Sequence, residues 1–276
     1  MTYRFVFMAD CQLGCYATFS GFDDDAVEHY RQIGMTVRKV PRTTGFAWDT
    51  ERLHEAIELT RAIDPDFAVI GGDLVDDMSH DGQIEAFKAV SAGFDRLRLV
   101  AGNHDVAYDA TVPTPESLAA YRTEFGPDRF TFSHRDDAFI AINTTIWANP
   151  QLVPDEHTDQ LAFLESSLAD ATEARHRIIL GHHPLFVSDH QEPDSYWNIP
   201  NPLRTELLEM FDHHDTTAFF AGHWHRNGGG RYQRMEMVVT GPVGVTLGDD
   251  PSGLRIVEMN PDGLTHRYLP LEREVR

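Results

Sequence analysis

Lysine is almost missing from this chain. Only Lys39 and Lys88 occur, so arginine carries nearly all the positive charge, and 44 acidic residues against 23 basic ones leave a formal net charge of −21. A surface this acidic repels phosphodiester backbones and anionic lipid, which argues against sequence-independent nucleic-acid binding and against membrane docking. Cysteine is equally scarce. Cys11 and Cys15 are too few for a disulfide framework and fit a reducing compartment, so a reduced pair in a cytoplasmic protein is expected. No apolar run approaches bilayer-spanning length. Met1 to Asp10 lacks a cleavage-site pattern and reads as a first strand, not a leader. Linkers, internal repeats and low-complexity stretches are missing too, so a single domain over 1–276 is expected.

What is present is an alternation of strands and helices. Tyr3 to Ala9 predicts a strand. Thr50 is a plausible N-cap for a helix carrying Leu53, Ile57, Thr60 and Ile63, which Pro65 stops. Strands follow at Phe67 to Ile70, Leu97 to Ala101 and Arg177 to Leu180. Helices are predicted at 83–90, 117–125, around Leu161, Leu164 and Leu168, and around Leu203, Leu207 and Phe211. A hairpin is expected from Phe130 to Ser133 and Ala138 to Asn143. The apolar run Thr216 to Ala221 is a further strand. A glycine-rich turn at Gly228 to Gly230 leads into three more, Met235 to Thr240, Leu254 to Met259 and Leu264 to Leu269. Two connections, 13–48 and 187–202, are long enough to be functional loops.

Five strands end in the same way, in residues that bind metals. The first ends at Asp10-Cys11-Gln12 and the second at Gly71-Gly72-Asp73. The others end at Gly102-Asn103-His104-Asp105, Gly181-His182-His183-Pro184 and Gly222-His223-Trp224-His225. Taken singly, each is explained as a turn or a cap. Together they supply carboxylates, amides and imidazoles at the strand ends where α/β sheets bind ligands. That mixture suits a pair of divalent ions clamping a phosphoryl group, with one carboxylate bridging them to offset their repulsion.

The ordered set of motifs resembles the calcineurin-like metallophosphoesterase superfamily and spans most of the chain. The stretch from Gly222 through Gly228–Gly230 to Arg255, the opening Asp-x-Gln and the loop Tyr196 to Asn198 resemble one branch of it, that of calcineurin-like phosphoesterase domain-containing protein 1. The resemblance implies an α/β fold, a four-layer sandwich of two mixed β-sheets flanked by helices. It also implies a first metal held by Asp10, Gln12, Asp73 and His225, and a second by Asp73, Asn103, His182 and His223, with Asp73 as the bridge. His104 would assist the leaving-group oxygen, and Asp105 would orient its ring. The departure is Gln12, where the superfamily usually has a histidine. An amide oxygen is an uncharged, weaker donor, which leaves Mn, Fe, Zn or Mg open as the ion and makes Mn or Mg more plausible there.

The implied activity is hydrolysis of a phosphomonoester, on a small molecule or a phosphoprotein, by in-line attack of a metal-bound hydroxide. The alternative within enzymes is a nucleotide pyrophosphatase or phosphodiesterase, favoured by Gln12. The alternative outside enzymes is a non-catalytic binding scaffold, disfavoured because a scaffold has no use for His104. Asn103, His104, Tyr196 and Arg226 are the expected substrate contacts, Arg226 because a guanidinium fork suits phosphate. His183, beside an expected ligand, reads either as a support for it or as a polar loop residue. Cys11 is expected to pack, and Asp23 to Asp25 to be a solvated acidic loop.

Overall fold

The computed structural model describes residues 2–107 and 112–271, so Met1, 108–111 and 272–276 of the expected domain lie outside the described residues. The elements, in chain order, are β1 (Tyr3–Met8), α1 (Cys15–Thr18), α2 (Asp24–Gln32), α3 (Ala47–Ile63), β2 (Phe67–Gly71), α4 (Asp81–Ser91), β3 (Leu97–Val100), α5 (Asn103–Val106), α6 (Pro115–Phe125) and β4 (Phe130–His134). There follow β5 (Asp137–Ala141), α7 (Thr144–Ala148), α8 (Pro154–Asp170), β6 (Arg177–Leu180), α9 (Leu203–His213), β7 (Ala218–Ala221), β8 (Gly228–Tyr232), β9 (Met235–Val239), β10 (Gly253–Asn260) and β11 (Gly263–Pro270).

The strands form two sheets, one in the order β11-β10-β1-β2-β3 and one in the order β4-β5-β6-β7-β9-β8. In the first, β1-β2-β3 run parallel and β10 and β11 are added antiparallel on the β1 side; in the second, the parallel run β5-β6-β7-β9 has antiparallel β4 and β8 at its two edges. The layers follow from the two-residue period of a strand, which sends alternate side chains to opposite faces. In β1, Phe5 and Phe7 enter the core between the sheets, whereas Val6 and Met8 enter the core under the helices. In β7, Ala218 and Phe220 face the other sheet while Phe219 and Ala221 face α8 and α9. β2 and β7, and β1 from Phe5 onward, are apolar and buried on both faces, as a sheet covered on both sides requires. Aromatic rings pin the sheets together: Phe5 of β1 meets Phe139 of β5 edge-on at 5.6 Å and Phe220 of β7 edge-on at 5.5 Å. Helices cover both outer faces, and the expected four-layer sandwich is the fold observed.

Three local expectations need correction. Thr50 is not an N-cap. It lies inside α3, whose cap is Phe46, and its Oγ1 donates back to the Phe46 carbonyl at 2.7 Å. A hydroxyl satisfied this way sits comfortably within a helix, and the period alone cannot tell the two positions apart. The glycines at 228–230 are not a turn but the start of edge strand β8, paired with β9. Gly229, at φ 121°, lies so close to the Met237 carbonyl that a side chain would have no room. The second strand of the hairpin stops at Ala141, because Asn143 caps the short helix α7 by accepting from Thr145 N.

Candidate metal centre

The parallel strands β1, β2, β3, β6 and β7 all point their carboxyl ends to the same place. Loops leaving both sheets there bring Asp10, Gln12, Asp73, Asn103, His182, His223 and His225 together, every one of them buried. Five of these residues hold a left-handed backbone: Asp10 (φ 53°), Gln12 (41°), Asp73 (52°), His223 (67°) and His225 (54°). Such angles cost energy in non-glycine residues and persist where the surroundings over-determine them, typically at functional sites. Each turns a side chain back across the strand end toward its neighbours. Two glycines make room for this. A Cβ on Gly72, itself at φ 91°, would strike the His182 ring, and one on Gly102 would strike the Asp73 carboxylate.

The side chains form two overlapping groups, Asp73, His182 and His223, and Asp10, Asp73 and His225, within each of which the ligating atoms lie within 4.8 Å of one another. Asp73 belongs to both, where a bridging carboxylate would sit. His182 Nε2 is 3.2 Å from Asp73 Oδ2 and 3.0 Å from Asn103 Oδ1. His225 Nε2 is 3.5 Å from Asp10 Oδ1. Backbone carbonyls set the far side of these rings. His182 Nδ1 faces Gly71 O at 2.8 Å, His225 Nδ1 faces Val245 O at 2.6 Å, and His223 Nε2 faces Tyr196 O at 3.0 Å. With one nitrogen held by a carbonyl, each ring has a fixed orientation and its other nitrogen is left for the site, the arrangement that orients imidazole ligands.

The residues fit a pair of divalent ions. Gln12 Oε1 is buried with no hydrogen-bond partner, a costly state for a carbonyl oxygen and the expected one for a donor awaiting a cation. The electrostatics agree. Burial by itself would raise the Asp73 carboxyl, but His182 and His104 outweigh it and hold it far below the usual range. Burial raises Asp10, with His225 and His182 opposing. Burial and the neighbouring His182 push His223 down to about 3, leaving a neutral ring. Asp73 draws His182 the other way, up to about 9 against the burial that would lower it, and buried carboxylates this closely packed suit a cation.

His104 stands beside these groups, but Asp105 does not orient it, correcting the expectation. Asp105 occupies the first turn of α5, and its carboxylate turns back to accept from Gly102 N and Leu74 N, both at 2.8 Å. The ring partner is Asp76, which the sequence reading passed over. His104 Nδ1 lies 2.9 Å from the Asp76 carbonyl and 3.4 Å from its Oδ1, and Asp76 Oδ1 accepts from Gln12 Nε2 at 3.0 Å. Gln12 Nε2 also lies 2.9 Å from His104 Nε2. The available signal was the acid three residues beyond Asp73, on the loop that must cross the site. Thr144 was missed as well. Its Oγ1 accepts from the backbone of His182 (3.1 Å) and His183 (2.7 Å) and fixes their turn. It belongs to α7, a one-turn helix too short to leave a periodic signal.

The remaining expected residues separate clearly. Tyr196 lies over the site, its ring 4.8 Å from that of His223 and its side chain bonded to Asn103. The Glu192 carboxylate holds that loop, accepting from Val187 N at 2.8 Å and Asn198 Nδ2 at 2.7 Å. Arg226 is spent on structure: its Nε donates to the Leu247 carbonyl at 2.7 Å and its Nη2 to that of Gly34. His183 is buried with its ring 4.0 Å from that of His223, a packing support. Cys11 and Cys15 are free and buried, and Cys11 packs with Met8 in the core. Asp23 caps α2, while Asp24 pairs with Lys39 at 2.7 Å.

A sandwich of two sheets with paired carboxylate and imidazole groups at its strand ends defines a dinuclear metallophosphoesterase. Comparison with known proteins agrees. The calcineurin-like phosphoesterase family profile matches residues 3–227, and the chain belongs to that family. Among curated relatives, the human serine/threonine-protein phosphatase CPPED1 is 34% identical over 242 residues, covering 83% of this chain and 76% of that protein. Its zebrafish counterpart (Danio rerio) is 32% identical, over 83% and 77% of the two chains. Among solved structures, a dimetal phosphatase from Danio rerio superposes with a TM-score of 0.62 at 14% identity, over 98% of this chain and 99% of that one. A purple acid phosphatase from yellow lupin gives 0.64 at 15% identity, over 97% and 52%. At such identities these structures speak for the fold alone.

Proposed function

We propose that this phosphoesterase removes phosphate from serine or threonine side chains of a protein or peptide, using two divalent ions held by the groups that share Asp73. Asp10, Gln12, Asp73 and His225 would hold one ion, and Asp73, Asn103, His182 and His223 the other. Bound there, such ions activate water as a nucleophile and neutralise charge on a phosphoryl group. The mixed set of amide, carboxylate and imidazole donors suits manganese best among Mn, Fe, Zn and Mg. The protein's own part is orientation and proton supply. His104 keeps its Nδ1 proton on the Asp76 carbonyl, so that Nε2 faces the site. When a substrate displaces Gln12 Nε2, a protonated Nε2 donates to the departing alkoxide of serine or threonine, which needs that proton. Tyr196 and Asn103 border the phosphoryl position.

The observation carrying this reading is the shared Asp73 between the two donor groups, in a chain about a third identical to curated serine/threonine-protein phosphatases. The pyrophosphatase and phosphodiesterase reading keeps one support, Gln12. A single assay separates them: hydrolysis of p-nitrophenyl phosphate, bis-p-nitrophenyl phosphate, ADP-ribose and a phosphoserine peptide, with Mn²⁺, Mg²⁺, Zn²⁺ and Fe²⁺ in turn. The monoester and the peptide should be turned over fastest, with Mn²⁺. Preference for the diester or the pyrophosphate would overturn the proposal. Silence on all four substrates with metal bound would favour the scaffold.

A further inference from the structure

A cavity of about 80 Å³ lies beside the metal centre, walled by Tyr16, Phe19, Val37, Trp48 and Val245. Its position is fixed by the centre itself. Val245 lends its carbonyl to His225 Nδ1 at 2.6 Å, and the neighbouring Gly244 N donates to the Asp10 carbonyl at 3.0 Å. Those five walls belong to one apolar cluster around Cys15, Val37, Val245 and Leu247 that also takes in Trp197, whose ring lies 5.6 Å from that of His223. The cluster therefore runs unbroken from the face of an expected ligand to the cavity. The 13–48 connection supplies most of the walls, and the stack of Tyr16 on Trp48 at 4.0 Å stiffens them.

Size and charge limit the occupant. At roughly 10–15 Å³ for each water-sized group, about 80 Å³ holds about half a dozen heavy atoms. That is one branched or aromatic side chain, and too little for a nucleotide. The polar lining is unusual for a chain with net charge −21: the charged side chains among the described lining residues are Arg38 and Arg52, without a carboxylate. Arg52 is engaged by Glu55 at 2.8 Å, whereas Arg38 is exposed. Resting on the protein-phosphatase reading, we infer that this cavity is a specificity pocket. It takes an apolar side chain next to the phosphorylated residue, with an acidic residue of the same peptide on Arg38.

The test is a panel of phosphoserine peptides with leucine, phenylalanine or alanine beside the phosphoserine and glutamate or lysine further along, assayed next to p-nitrophenyl phosphate. Leucine or phenylalanine with glutamate should give KM about tenfold below alanine with lysine, the scale set by burying one apolar side chain. Val40→Trp, which fills the cavity from its lining, should abolish that preference and leave p-nitrophenyl phosphate kinetics unchanged. Arg38→Glu should reverse only the charge preference, and it decides the question should Val40→Trp not fold. Equal KM values across the panel overturn the pocket and leave the cavity to a small free ligand or a segment of the chain itself. Turnover of p-nitrophenyl phosphate with none of any peptide overturns the protein-phosphatase reading instead, and the pocket with it.

Discussion

Gln12 carries two tasks in one side chain. Its oxygen is buried without a partner, and its nitrogen reaches both Asp76 and His104. Gln12→Ala should therefore lower metal content, measured by elemental analysis of dialysed protein, by removing a donor. Gln12→His should restore it, since imidazole is the stronger ligand. His104→Ala should leave metal content unchanged. Its kcat on a phosphoserine peptide should fall about 10²–10⁴-fold, the usual contribution of a positioned acid. The loss on p-nitrophenyl phosphate should be smaller, because nitrophenolate leaves without a proton. Equal losses on both substrates would refute the proton-donor role. Asp76→Asn, which keeps the carbonyl contact, should cost less than His104→Ala, and by more in kcat than in KM.

At the scale of elements, α3 is tied to the start of the 13–48 connection by Asp49. Its buried carboxylate accepts from Tyr16 N at 3.1 Å and Gly14 N at 3.2 Å. Burial pushes this carboxyl up to about 7 despite those two bonds, which pull it down. A folded-state value above the ordinary one means that the folded chain favours the protonated acid. The stabilising contribution is then fully present below about pH 4 and is lost as pH rises toward about 7. Against Asp49→Asn, which does not titrate, wild type should lose up to about 1.4 kcal/mol of relative stability per pH unit across that window. Urea melts of both proteins between pH 4 and 8 measure this, and a pH-independent difference would show that Asp49 is not perturbed. A similar logic applies to the loop over the site. Glu192→Ala releases Val187 N and Asn198, so the Tyr196 carbonyl should lose its hold on His223, raising KM more than it lowers kcat.

For the whole molecule, the dominant fact is negative charge gathered at one point within an already acidic chain. Asp10 and Asp73 are buried together in one donor group, and Asp73 is shared with the other. Metal should therefore stabilise the fold, by about 2.7 kcal/mol at a free concentration one hundred times Kd. At about 2–4 °C per kcal/mol for a chain near this size, adding Mn²⁺ to chelator-treated protein should raise Tm by several degrees. Scanning calorimetry with and without the ion tests it, and an unchanged Tm would contradict a metal site at this position. Among the described residues no helix is long and apolar enough to cross a membrane, in line with the absence of long apolar runs.

The sequence by itself determined the layers and where residues of ligand type stand, directly after the central strands. Alternating apolar residues such as Phe5 and Val6 commit each central strand to burial on both faces, and the ligand-type residues follow those strands directly, so both were legible in one dimension. The tertiary structure decided which donors share a neighbourhood and which way they face. The left-handed turns at Asp10, Gln12, Asp73, His223 and His225 are imposed by packing between two sheets, and no local pattern announces them. Asp105 and Asp76 changed places for the same reason. Adjacency made Asp105 look like the partner of His104, but a one-turn helix turns its carboxylate onto backbone N–H groups and leaves the ring to a residue from another loop. Arg226 likewise read as a phosphate fork and became a loop clamp, because the carbonyls of Gly34 and Leu247 that it binds arrive from distant parts of the chain. Spacing along a chain fixes the chemistry available at each strand end. Only the crossing of distant segments fixes which hydrogen bonds consume it and which are left for metal and substrate.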